Sequence, residues 1–221
     1  MNKKLLGHRG KIKIYQVDGK QIRTTVDKEF TNFGQHFLYS YIPEYEFWLD
    51  VEASVDERKY FIDHLLIEWK LMKQGMPYAK ALEMADIQEK SERGKKQKFL
   101  GATDGAKTHL KLLGKTQDGL EVWVIDGQAV RSNYYIDFTE GGHYYVYPWV
   151  PQNEVWLDND VVESERPYVL LHELFERNLM KLGWEYHKAH RLASRIEWNC
   201  RHGQRDLAKA LAKYGWIEKL S

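Results

Sequence analysis

Cross-linking within itself is the first thing this chain cannot do. Cys200 is its single cysteine, which excludes an intramolecular disulfide framework and fits a reducing compartment. Long apolar runs are missing as well: nowhere do about 18 consecutive apolar residues occur, as a membrane-spanning helix requires. The start, MNKKLLGHRGK, is basic but lacks the apolar core of a secretory signal. The expectation is a soluble, unprocessed, cytoplasmic protein, or a virion-associated one if a phage encodes it. Excess charge of one sign is also absent, since 33 basic residues face 32 acidic ones for a net +1. Bulk charge therefore favours neither a nucleic-acid nor a membrane partner. No P-loop, no G-x-G-x-x-G and no nucleophile elbow occurs.

What is present is enough apolar material for a real core: 43% of 221 residues are hydrophobic, with 8 Trp and 14 Tyr. Much of the aromatic content falls in strand-like stretches such as YEFWLD and YYVYPW. Such stretches form ordinary sheet cores, and aromatics also line peptide and sugar grooves.

The chain repeats itself. Residues 14–90 superpose on 122–198 without a gap, and roughly a third of the pairs are identical. Asp18-Gly19 matches Asp126-Gly127, Trp48-Leu49-Asp50 matches Trp156-Leu157-Asp158, and Leu71-Met72-Lys73 matches Leu179-Met180-Lys181. The fold class expected is α+β, a pseudo-twofold tandem duplication in which each unit is a small antiparallel sheet followed by a helical hairpin. Residues 1–93 form a degenerate N-terminal repeat, the Gly- and Lys-rich 94–110 a linker, and 111–221 a C-terminal repeat with a short terminal helix.

Within each repeat the pattern predicts a strand at 12–17, a hairpin turn at Asp18-Gly19, and a partner strand at 21–27. Strands at 36–41 and 45–49 follow, then helices at 57–74 and 78–92 separated by Gly75. The second copy repeats this at 120–125, 128–136, 143–148, 153–157, 165–182 and 185–199.

The chemistry-bearing stretch is Tyr168 to Glu197. His172 and Glu176 share a helix face four residues apart, with Glu173 one step round the cylinder. Glu176 and His190 lie equally far from the break at Gly183, about 10 Å along each helix, so an antiparallel hairpin brings them level. His172, Glu176 and His190 make a two-histidine, one-carboxylate set for a divalent metal, zinc being the first choice, with a position left for water. Glu173 is the candidate catalytic base. Glu197, further along the face of His190, is expected to orient that histidine or to act as a fourth ligand. His187 is the reserve ligand. The first repeat keeps His64 and Glu68 but has Leu65, Ala79 and Leu82 in place of Glu173, His187 and His190, so only the second has the whole set.

The segment resembles the zincin metallopeptidases, whose signature is His-Glu-x-x-His on a helix with a third ligand downstream. His172-Glu173 matches the first ligand and the base, and Glu176 stands where the second histidine would be. The resemblance implies a zinc-dependent hydrolase acting on a peptide or protein substrate. The fuller pattern, IPxxExWxD followed by HExxExxxM and YxxAH, is similar to uncharacterised proteins encoded in phage and prokaryotic genomes.

The competing expectation is a non-enzymatic structural or partner-binding protein. On that reading the His/Glu pairs bind each other, or Arg166 and Arg177, and aromatic sheet faces meet a partner. Asp158 and Asp160 lack the surroundings of a calcium loop and read as strand-end residues.

Overall fold

The computed structural model describes residues 2–100, with side chains to 95, and 108–217. Each repeat builds the same unit, and the fold is α+β. In the first, strands β1 (Lys3–Arg9) and β2 (Ile12–Val17) are followed by the short helix α1 (Gly19–Thr25). Strands β3 (Phe33–Gln35) and β4 (Glu46–Asp50) then lead to helices α2 (Arg58–Lys73) and α3 (Tyr78–Leu100). The second repeat gives β5 (His109–Lys115), β6 (Glu121–Ile125), α4 (Gly127–Asn133), β7 (Gly141–His143), β8 (Glu154–Asp158), α5 (Arg166–Lys181) and α6 (Tyr186–Arg201). A last helix, α7 (Leu207–Ala212), has its N-terminus capped by the Asp206 side chain.

The sheets run in the orders β1-β2-β4-β3 and β5-β6-β8-β7. Their outer pairings are antiparallel, as expected, but the central pairs β2/β4 and β6/β8 are parallel. The cause lies at Asp18-Gly19, which is not a hairpin turn. Asp18 caps a helix, its Oδ1 accepting from the amide of Gln21 at 2.8 Å, and Asp126 does the same for Ala129 at 2.9 Å. Residues 21–27 and 128–136 are thus helical crossovers in place of partner strands, and the next core strand returns parallel. The true hairpin lies earlier, where Gly10 at φ +60 turns β1 into β2. Gly19 is needed for contact: a Cβ there would sit 1.7 Å from Asp50 Oδ2, the carboxylate that accepts its amide. The strand expected at 36–41 is a turn region that follows the three-residue β3, and of the one expected at 143–148 only His143, the end of β7, is strand.

Alternation along β4 divides its side chains between two faces. Phe47 and Leu49 pack with Ile14, Phe61 and Leu65, while Trp48 packs with Ile22, Phe30 and Ile42. In the second repeat Val155 and Leu157 join Leu171, Leu174 and Cys200, and Trp156 joins Val130, Phe138 and Val150. Tyr147 and Trp149 of YYVYPW pack against that last cluster, so these aromatics serve the core. Each helical hairpin closes at a glycine with positive φ, Gly75 (+89) and Gly183 (+88). Beyond it an amide reaches back five residues, Met76 to Leu71 and Trp184 to Leu179.

Two compact units result. One contains the described residues of Met1–Arg23, Phe30–Ala106 and Arg131–Asp137; the other contains Thr24–Glu29, the described residues of Lys107–Val130, and Phe138–Ser221 as far as residue 217. Of the segment 94–110 expected as a linker, α3 takes the part to Leu100 and β5 starts at His109, while 101–107 lie outside the described residues. Among the described residues no helix is long and apolar enough to cross a membrane.

Candidate metal centre

Helices α5 and α6 bring His172, Glu176 and His190 together. The buried Ala189 and Ala193 give α6 a small-residue face. His190 Nδ1 lies 3.0 Å from Glu176 Oε2 and 3.1 Å from His172 Nε2, and the third edge, His172 Nε2 to Glu176 Oε2, is 3.7 Å. Three donors of a tetrahedral zinc ion, with bonds of about 2.0–2.1 Å, stand about 3.3 Å apart. The triangle matches that scale without any rearrangement of the backbone.

The outer faces of the two imidazoles settle which nitrogen each turns inward. His172 Nδ1 lies 3.0 Å from Glu197 Oε2, and His190 Nε2 lies 3.1 Å from Glu29 Oε2. A carboxylate accepts only, so each holds a ring proton on the outer nitrogen; Glu176 Oε2, 3.0 Å from the inner Nδ1 of His190, accepts on that side, where a cation would displace the proton. Glu197 is itself fixed by Arg201, whose Nε donates at 2.8 Å, and Arg201 is held by Glu165 at 2.6 Å. This corrects the expectation for Glu197, which orients His172 and not His190. The reason is rotational: Glu197 is two turns on from His190, and the opposing helix presents His172 at that height. His187 takes no part; it is exposed, with its ring 5.3 Å from that of Tyr186. Arg166 and Arg177 donate to the carbonyls of Val161 and Gln152 and so are engaged elsewhere.

Two residues at this centre were not singled out in the sequence, Glu29 and His143. His143 is fully buried, with Nε2 3.3 Å from Glu176 Oε1. Together with Glu173 and Glu176 it forms a second group whose donor atoms lie within 4.8 Å of one another. That group does not suit a cation. The amide of Tyr145 donates to His143 Nδ1 at 3.2 Å, so the neutral ring carries its proton on Nε2 and faces Glu176 as a donor. Gln35, its counterpart, does the same work: its Oε1 accepts the Phe37 amide at 2.8 Å and its Nε2 donates to Glu68. Comparing Gln35 with His143 was the signal available for this residue, since both side chains can accept at one end and donate at the other. Glu29 had no such signal, because it lies far away in sequence, in the loop expected after the strand at 21–27.

Glu173 is buried beside Glu176. Room for it comes from Gly141, where a Cβ would stand 3.0 Å from Val169 Cγ1 and 3.1 Å from Glu173. The first repeat fills this space: Phe33, the counterpart of Gly141, stacks on Phe61 at 4.6 Å beside Leu65. The residue before Gly141, Glu140, adopts φ +60, a conformation that costs a non-glycine residue of order 1 kcal/mol.

Electrostatics follow from this packing. Burial, reinforced by Glu176, pushes Glu173 up to about 8. Burial would also raise Glu176, but its contacts with His143, His172 and His190 hold it below the usual carboxylate range. His172 is held well above its ordinary value; burial opposes this, and Glu176 and Glu197 overcome it. Hydrogen bonds to Glu176 and then Glu29 raise His190 to about 9. His143, depressed by burial, stays neutral.

No protein family, curated protein or solved structure matches this chain.

Proposed function

We propose that the C-terminal repeat binds one divalent transition-metal ion, zinc for preference, on His172 Nε2, Glu176 Oε2 and His190 Nδ1, and that the protein is a metal-dependent hydrolase of peptide-like amides. The observation that carries the first step is the convergence of these three atoms, with both imidazoles tied by carboxylates on their outer sides. When bound, such an ion polarises a carbonyl and acidifies water. Glu173 accepts the proton, since a cation on its neighbours favours its ionised form. His143 engages Glu176 Oε1 and leaves Oε2 for the ion. His190 is the most solvent-exposed of the three ligands, with a third of its side chain accessible, so substrate approaches from that side.

A structural role for part of the network has one observation in its favour. The first repeat keeps the same chain of His64, Glu89, Arg93 and Glu57, with no group of three metal donors around it among the described residues. Two measurements separate the readings. Protein expressed with supplemented zinc should carry metal, and Glu173→Gln should keep that metal while losing hydrolysis of a peptide library. Metal-free protein would favour the scaffold. Loss of metal in Glu173→Gln would show that Glu173 is a ligand and not the base.

A further inference from the structure

The metal reading leaves one side chain at the centre without a role. Glu29 belongs in sequence to the N-terminal repeat, yet the segment Thr24–Glu29 packs as part of the unit that holds the candidate centre. Its Oε2 stands 3.1 Å from His190 Nε2. The two nitrogens of an imidazole point away from each other, so a carboxylate on Nε2 cannot reach an ion on Nδ1. Glu29 is therefore excluded as a fourth ligand. What it does instead is hold the outer edge of the ring. With an ion on Nδ1 the ring keeps its one proton on Nε2, and an acceptor there holds that N–H and aims Nδ1 at Glu176 and His172.

We infer that Glu29 is a positioning residue of the metal centre, fixing the direction of the His190 ring, so that metal affinity depends on a loop contributed by the N-terminal repeat. This rests on the proposed ion at His172, Glu176 and His190. His190 needs such a partner more than His172 does. The ring of His172 is mostly buried and its partner Glu197 is clamped by Arg201, whereas a third of the His190 side chain is exposed. Tyr186, 5.4 Å from the His190 ring, restrains its plane. The division of labour also gives the duplicated chain a reason to keep its first copy: that copy supplies a residue its own cluster does not use.

The test is a Co(II) titration of the purified full-length protein, followed by its visible spectrum, for wild type, Glu29→Ala and Glu29→Gln. Removing an outer carboxylate from a metal-bound histidine weakens binding about 10–100-fold, and that is the loss expected for Glu29→Ala. Glu29→Gln, whose amide oxygen still accepts from Nε2, should fall between it and wild type. The nitrogen NMR of His190 in zinc-loaded protein should show the metal on Nδ1 and the proton on Nε2 in wild type, and a mixture of bound nitrogens in Glu29→Ala. The Glu29 side chain is about half exposed, so all three proteins should melt alike. Wild type that binds cobalt while Glu29→Ala binds equally well, through the same His190 nitrogen, overturns this inference and spares the metal centre. Wild type that binds no cobalt overturns both.

Discussion

The two helical hairpins carry the same buried chain of charges. In the N-terminal repeat Glu57 holds Arg93 at 2.6 Å, Arg93 donates to Glu89 at 2.8 Å, and Glu89 meets His64 Nδ1 at 2.9 Å. In the C-terminal repeat Glu165, Arg201, Glu197 and His172 repeat it at 2.6, 2.8 and 3.0 Å. Even the ring beneath each guanidinium is kept, Tyr60 under Arg93 and Tyr168 under Arg201, both at 4.4 Å. What differs is the space beyond the histidine. The first copy fills it with Phe33 and Leu65 and has Leu82 at the position of His190; the second opens it with Gly141 and lines it with Glu173 and His190. The shared chain is thus part of how the hairpin folds, and the divergent residues are where a site could arise. A buried ion-pair chain fixes an imidazole, and a fixed imidazole becomes a ligand only when further donors are set opposite it.

The comparison can be broken most forcefully by exchanging residues between copies. His190→Leu, which installs the first repeat's residue, should lower zinc affinity by orders of magnitude by isothermal titration while the protein stays folded. Leu82→His is the reverse exchange. His64 Nε2 and Glu68 Oε2 lie 3.6 Å apart, so a third donor there should raise zinc stoichiometry from one to two. An unchanged stoichiometry would show that Phe33 and Leu65 also keep the first copy closed.

A smaller effect is expected on stability. Burial would depress the pKa of His64, but its bonds to Glu68 and Glu89 overcome this and raise it from 6.5 to about 9. A raised folded-state value means that the protonated ring stabilises the fold. The contribution, about 3 kcal/mol, is complete below pH 6.5 and lost as pH rises through 9. Wild type and His64→Gln should therefore differ in urea midpoint at pH 6 and converge near pH 10. Smaller again, and equal in both copies, are the glycines beneath the strand ends. Gly19→Ala and Gly127→Ala put a Cβ 1.7 and 2.1 Å from the carboxylates of Asp50 and Asp158. Each should cost roughly 1–3 kcal/mol by thermal melting.

How much of this could be read from residues alone depended on range. The duplication, both long helices of each hairpin and the meeting of Glu176 with His190 were legible, because helix periodicity and equal distance from Gly183 are local facts. The Asp-Gly pairs misled: the residue types that make a hairpin turn also cap a helix, and only the long-range contact of Gly19 with Asp50 decides between them. That error hid the parallel central pairing, and with it the crossover leading to the segment that carries Glu29. His143 was hidden differently, being read as one more position in an aromatic strand when its neighbour two residues on determines which nitrogen holds the proton. The rotation of Glu197 onto His172 needed the opposing helix to be in place.

The claim on which the rest depends is that the C-terminal copy holds a cation and the N-terminal copy does not. Zinc titration by calorimetry of wild type beside His172→Asn and His64→Asn tests it most directly. The account predicts one ion per chain in wild type and in His64→Asn, and none in His172→Asn. It is contradicted by wild type that binds no zinc, or by two variants that lose zinc equally.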